Sequence, residues 1–227
     1  MLVFTNCQLS DEAVHTLESF GHTPIPCPPH PALDPAVASH PDMLVFPTHD
    51  CILTHADYAN ALPALPLPVH GINRSVGGQY PHDVLLNAAC IGGFLVCRPD
   101  AVADEILQYA KQNGLSLLPV RQGYAKCNLC VISEHAAITE DASICKALQS
   151  NGIDVLYLEP GQVALPGYPY GFIGGATGND GTHVFFCGNL TAHPKGELIA
   201  AFCQKHQKKP ISLAGHALMD TGSLLFI

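Results

Sequence analysis

Three stretches of the chain share one order of polar opening, apolar stripe and glycine stop. Ser10-Asp11-Glu12 opens a helical pattern with Val14 and Leu17 on one face, and Gly21 ends it. Pro99-Asp100 opens a second, with Val102, Ile106, Tyr109 and Ala110 on one face and Gly114 as the stop. Thr139-Glu140-Asp141 opens a third, carrying Ile144, Ala147 and Leu148 and ending at Gly152. Short polar side chains accept from the free N–H groups of a first helical turn, and glycine takes the left-handed conformation that ends the last. An extended segment follows each stop: Thr23-Pro24-Ile25-Pro26, Leu115-Ser116-Leu117-Leu118-Pro119 and Ile153-Asp154-Val155-Leu156-Tyr157-Leu158. A fourth helix is predicted from near Pro194, with Leu198, Ala201 and Phe202, and Pro210-Ile211-Ser212-Leu213 follows it. A weaker fifth covers residues 56–65, ahead of Pro66-Leu67-Pro68-Val69. The helix starts are spaced roughly 40–55 residues apart, the scale of a supersecondary repeat.

Each unit carries a second predicted strand, at residues 43–46, 94–97, 129–133, 183–187 and 223–227. The last has no helix after it, while Met1-Leu2-Val3-Phe4 resembles it and precedes the first helix. Pairing these two segments closes a ring and leaves few open strand edges. The expected fold is therefore α/β: a five-bladed, pseudo-symmetric α/β propeller of helix–strand–strand units, one domain over residues 1–227. An open doubly wound sheet is the competitor, but it places a phosphate-binding glycine loop after its first strand. Here that junction reads Asn6-Cys7-Gln8-Leu9-Ser10, without glycine.

Composition narrows the partners. Hydrophobic residues make up 48% of the 227, and charged residues 13%, which suits a large core and argues against disorder. No apolar run reaches the roughly 20 residues of a membrane span. The first residues read as a strand rather than a secretion signal, so a cytoplasmic location is expected. The formal net charge is −9, with 10 Lys plus Arg dispersed along the chain. A nucleic-acid partner needs a basic face, and none is evident. A small polar metabolite is the expected partner, with no cofactor. The ten cysteines then sit in a reducing compartment, and Cys97, Cys145, Cys187 and Cys203 are expected as small buried apolar groups.

The polar residues that break the apolar pattern are the candidate chemistry. Gln122-Gly123-Tyr124-Ala125-Lys126-Cys127-Asn128 sets several hydrogen-bonding groups in a strand-like segment of an apolar chain. Buried polar groups need partners, so this cluster is either a satisfied network or a site. Cys127 is a candidate nucleophile, given a partner that activates it. Cys127-Asn128-Leu129-Cys130 lacks the second Cys or His pair of a zinc site, and no metal is expected. His40-Pro41-Asp42 supplies either a base with its orienting acid or a turn leading into a strand. Asn87, Asp220 and Ser223 occupy comparable places near predicted second strands, and a ring would turn these positions toward a common centre. Gly171-Phe172-Ile173-Gly174-Gly175-Ala176-Thr177-Gly178 runs into a turn and strand rather than a helix. That suits tight packing or close approach of a ligand.

The repeat organisation over the whole chain resembles the pentein, or guanidino-group-modifying enzyme, fold. The strings His40-Pro41-Asp42, Tyr80-Pro81, Gln122-Gly123-Tyr124-Ala125-Lys126-Cys127, Tyr170-Gly171-Phe172-Ile173-Gly174-Gly175 and Gly222-Ser223 are similar to those of an uncharacterised bacterial family assigned to that fold. The resemblance implies a central pocket and a Cys-dependent hydrolase or transferase acting on a guanidino, amidino or other small polar metabolite. Cys127 is then the nucleophile, with His40 and Asp42 moving protons. Asn87, Gln122, Tyr124, Lys126, Asn128, Gly174, Gly175, Asp220 and Ser223 orient the substrate. The chain departs from those enzymes in two places. Residues 215–227 lack the expected cysteine, and Ala176, rather than an acid, follows Gly174-Gly175. A non-catalytic ligand-binding or protein-interaction member of the same fold is the alternative.

Overall fold

A computed structural model describes residues 1–227. The chain enters on strand β1 (Leu2–Asn6), helix α1 (Asp11–Ser19) and strand β2 (Thr23–Cys27). Ser10 caps α1 by accepting from the Ala13 N–H, and Leu17 and Ala13 are its buried face. The second unit is a helical turn α2 (Pro41–Leu44), β3 (Val45–Pro47), β4 (Ile52–His55) and β5 (Val69–Ile72). The helix predicted over residues 56–65 is there only a 3-10 turn, Ala59–Ala61. The third unit is β6 (Ala89–Ile91), β7 (Phe94–Cys97), α3 (Asp104–Gln112) and β8 (Ser116–Pro119). The start of α3 lies later than predicted, because Asp100 is held by the Arg98 guanidinium instead of capping.

The fourth unit is a helical turn α4 (Ala125–Asn128), β9 (Leu129–Ser133), β10 (Ala136–Thr139), α5 (Ala142–Gln149) and β11 (Asp154–Tyr157). Asp141 is the cap of α5, accepting from Ser143 and Ile144. The fifth is β12 (Thr177–Asn179), β13 (His183–Phe186), α6 (Gly196–Lys205) and β14 (Lys209–Ser212), and β15 (Leu225–Phe226) ends the order. On α6 the buried face is Ile199, Phe202 and Cys203. Leu198 and Ala201, predicted to be inside, are exposed.

These strands form five three-stranded sheets of one design. In each, an inner strand runs antiparallel to a middle strand, which pairs in parallel with an outer strand reached through the helix or 3-10 segment. The repeating unit thus has three strands where two were predicted. The predicted second strands mix inner strands (β3, β9, β15) with middle ones (β7, β13). The middle strands β4 and β10 and the inner strands β6 and β12 were not foreseen. The predicted closure is present: β1 pairs antiparallel with β15, so both chain ends complete one blade. Neighbouring inner strands touch, β6 with β9, β9 with β12 and β12 with β15, which places them around the axis.

The apolar core is divided among five clusters between sheets and helices. Phe4, Phe185, Phe186 and Leu17 are among its fully buried side chains. Cys97, Cys145, Cys187 and Cys203 are buried free thiols, as expected. No helix is long and apolar enough to cross a membrane.

Candidate active site

The segments that lead into the five inner strands meet at the axis. Two or three residues before each strand stand Asp42, Asn87, Cys127, Gly175 and Ser223. A continuous circuit of hydrogen bonds joins them. Asn87 Nδ2 donates to the Asp42 carbonyl at 3.3 Å, and Asn87 Oδ1 accepts from the backbone N–H groups of Lys126 at 2.7 Å and Cys127 at 3.2 Å. The Gly175 N–H donates to the Cys127 carbonyl at 2.8 Å, the Ser223 N–H to the Gly175 carbonyl at 2.7 Å, and the Asp42 N–H to the Gly222 carbonyl at 3.0 Å. Each blade is thus tied to the next at its inner end, and backbone groups that would be unpaired in so buried a place are satisfied.

Local conformation differs from the strand-like reading of residues 122–128. Residues 125–128 form the one-turn helix α4, and Pro41 starts the equally short α2. Proline suits the first helical position, where its missing N–H has no intrahelical role. The turn lets Lys126 and Cys127 both reach the centre, which a strand would forbid. Gly174 and Gly175 are closely packed. A Cβ on Gly174 would stand 2.5 Å from the Lys126 carbonyl oxygen, and one on Gly175 would strike the Asp220 carboxylate. Ser223 has φ 69°, a left-handed conformation costly for any residue with a Cβ.

Side chains fill the circuit. Cys127 is 3% exposed. Its thiol donates to Asp42 Oδ2 at 3.1 Å and accepts from Asn87 Nδ2 at 3.0 Å. The Ser223 hydroxyl donates to the same Asp42 oxygen at 2.6 Å and accepts from Lys126 Nζ at 2.9 Å. Burial pushes the Cys127 thiol well above its ordinary pKa, and the neighbouring Asp42 and Asp220 add to the push. Burial also raises Asp42. Asp220 accepts from the N–H groups of Phe172 and Gly222, yet burial lifts its pKa to about 6. His40 is kept neutral by burial, which lowers its pKa. Its Nδ1 lies 3.7 Å from Asp220 Oδ1, beyond hydrogen-bond reach. The acceptor of the Cys127 thiol proton is Asp42, and His40 lies beside Asp220.

The remaining expected site residues lie further out. Gln122 Oε1 accepts from the Tyr124 N–H, and Asn128 Nδ2 donates to the Tyr124 carbonyl, so both brace the approach to α4. Tyr124 donates to Asp83 Oδ2 at 2.6 Å and stacks on Tyr80, whose ring centre is 5.6 Å away. Two acids escaped the sequence reading. Asp83 is the partner of Tyr124. Glu140 accepts from the Ile173 N–H at 2.7 Å, and burial raises its pKa to about 7. Glu140 was read only as part of a helix start. The sign that it serves otherwise is the surplus of acids in Thr139-Glu140-Asp141, since Asp141 alone supplies the cap. No group of three or more His, Cys, Asp or Glu is placed to hold a metal ion.

Residues 4–225 match the model of a family of unknown function, DUF6873. The chain belongs to that family. No curated protein matches it. Among solved structures it is similar to dimethylarginine dimethylaminohydrolase in an adduct with S-methyl-L-thiocitrulline, with a TM-score of 0.56 at 10% identity, covering 93% of this chain and 91% of that one. It is also similar to the Pseudomonas aeruginosa form of that enzyme complexed with citrulline, at 0.55 and 10%, with coverage again 93% and 91%. Agmatine deiminase of C. jejuni gives 0.53 and 12%, covering 94% of this chain and 76% of that one. At such identities the likeness shows the fold, a pentein ring of five three-stranded units.

Proposed function

We propose that this DUF6873 chain is a Cys-dependent hydrolase or transferase acting on a small metabolite with a guanidino or amidino group. The observation that carries the reading is the setting of Cys127. Its sulfur lies between a carboxylate oxygen able to take its proton and an amide N–H able to steady the resulting thiolate. A planar cation is the substrate class that best suits the surroundings. Asp220 and Glu140 are buried, and Glu140 Oε1 has no hydrogen-bond partner. Buried unpaired acceptors are costly. A guanidinium or amidinium offers a fan of N–H donors that matches carboxylates. The neighbours of like fold are named for reactions of dimethylarginine and agmatine, which are themselves guanidino compounds.

In this reading Asp42 accepts the thiol proton as Sγ bonds to the amidinium carbon. Collapse of the adduct breaks a C–N bond, and the amine leaves with the proton from Asp42. Water or a second amine then attacks the sulfur-bound carbon and releases Cys127. Ser223 and Lys126 hold the Asp42 oxygen in place through their hydrogen bonds. His40, 3.7 Å from Asp220, has no hydrogen bond to the thiol and does not activate it.

An amidine-headed alkyl halide should alkylate Cys127 stoichiometrically and ahead of the other nine cysteines, while its amide-headed analogue should not. Equal labelling by both reagents, or labelling elsewhere first, removes the nucleophile. The burial of Cys127 and its raised pKa favour a second reading, a ligand-binding member without turnover. Guanidino metabolites would then stabilise the protein against heat without any amine release, in wild type and Cys127→Ser alike.

A further inference from the structure

A cavity of about 680 Å³ occupies the axis on the side reached by the far ends of the inner strands. Asp42 and Lys126 stand at its inner end, Pro47 ends the inner strand β3, and Glu134, His135 and Gly181 come from the turns that follow the inner strands β9 and β12. Cys127 is not among its walls. The cavity therefore meets the polar circuit from a side that does not present the sulfur. Its middle is apolar, with Phe46, Leu86, Leu225 and Phe226 among the lining side chains.

The inner end combines two unfinished groups. Asp42 is 1% exposed and its Oδ1 accepts no hydrogen bond. Lys126 Nζ makes a single hydrogen bond, to Ser223, out of the three an ammonium can donate. The Ser223 hydroxyl alone separates the two. A cationic head meets Lys126 and an anionic head meets Asp42, and either pairing in so enclosed a place is unfavourable. A neutral head with an N–H to donate and a carbonyl to accept satisfies both groups at once.

We infer that the axial cavity is a binding site for a small amphipathic amide or urea, its head on Asp42 and Lys126 and its apolar body between Phe46, Leu86, Leu225 and Phe226. This goes beyond the catalytic reading and stands without it. If Cys127 does hydrolyse an amidine or guanidine, the product is itself an amide or urea. The cavity then holds product on the side away from the sulfur.

Binding of a series of primary amides, from butanamide to octanamide, measured by calorimetry on the full chain, tests this. Each added methylene should tighten binding about fourfold, the factor that corresponds to about 0.8 kcal/mol per buried CH₂. Alkanoates and alkylamines of matched length should bind at least about tenfold more weakly, because each sets a like charge against one member of the pair. Cys90→Trp places bulk at an exposed wall position of β6 and should abolish amide binding. Ser133→Phe, on the wall contributed by β9, should do the same if the first variant folds poorly. Cys127→Ser should leave amide binding unchanged. Conversely, Cys90→Trp should leave alkylation of Cys127 by the amidine reagent intact, so the two readings fail separately. The inference is overturned if no amide binds, if all three heads bind alike, or if binding survives in a folded cavity-filling variant.

Discussion

Under the helices the blades are filled with interchangeable apolar groups: Ile106 and Ala110 from α3, Ile144 and Leu148 from α5, Ile199 and Phe202 from α6. At the axis the five equivalent places hold Asp42, Asn87, Cys127, Gly175 and Ser223, no two alike. The repeat is kept where it only has to bury area, and it is broken where the units converge. Interchangeable residues are sufficient for a layer whose stabilisation scales with apolar surface. A buried polar circuit needs a specific donor or acceptor at each place, since a half-satisfied network is worse than none.

Mutation should separate the two regions, most strongly at the sulfur. Cys127→Ser is expected to lower turnover of a guanidino or amidino substrate by about 10⁴-fold or more, with little change in thermal midpoint. Retained turnover in steady-state assays would move the chemistry elsewhere. In the apolar layers the effect should be on stability instead. Phe185, fully buried and stacked on Phe226 with ring centres 5.5 Å apart, should cost about 3–5 kcal/mol on replacement by alanine, as read by denaturant unfolding.

Charge gives a third contrast. Glu140 holds its proton more tightly in the folded protein, at a pKa of about 7 against the ordinary 4.5. Between those values the folded state carries more protons than the unfolded chain, so stability falls as pH rises and the penalty is complete above about 7. Asp220, raised to about 6, acts in the same direction at lower pH. Glu140→Gln should therefore flatten the profile, gaining about 2 kcal/mol over wild type at pH 8. A gain that is the same at pH 4.5 would show that proton binding is not its source. At the surface, Lys205→Ala breaks an exposed pair with Asp154 and should change stability by less than about 0.5 kcal/mol. A larger loss would mean that the outer face of the ring also depends on specific partners.

The same division explains what the sequence disclosed. Helices α1, α3 and α5 were legible because they are eight or nine residues long, enough turns for an apolar stripe, and because glycine ends them at positive φ. The closing pair β1 and β15 was legible because a strand was left over at each end. Strands β6 and β12 were not, since Ala89-Cys90-Ile91 and Thr177-Gly178-Asn179 are too short to alternate. The turns α2 and α4, of four residues each, carry no helical period. The polar residues of the centre stood out one by one, as misfits in an apolar chain. Their pairing did not, because Asp42 and Asn87 reach Cys127 from 85 and 40 positions away. His40 looked like the base through its nearness in sequence to Asp42, but it lies against Asp220.

The pairing of β1 with β15 has a topological consequence. Leu2 and Ile227 exchange both backbone hydrogen bonds, at 3.2 and 3.0 Å, so the two ends lie side by side with a gap between them. A short linker across that gap, with a cut in the irregular stretch between Leu62 and Pro68, rewrites which blade is first without altering any neighbour. The circle fixes who stands beside whom; where the backbone happens to be opened is a separate choice.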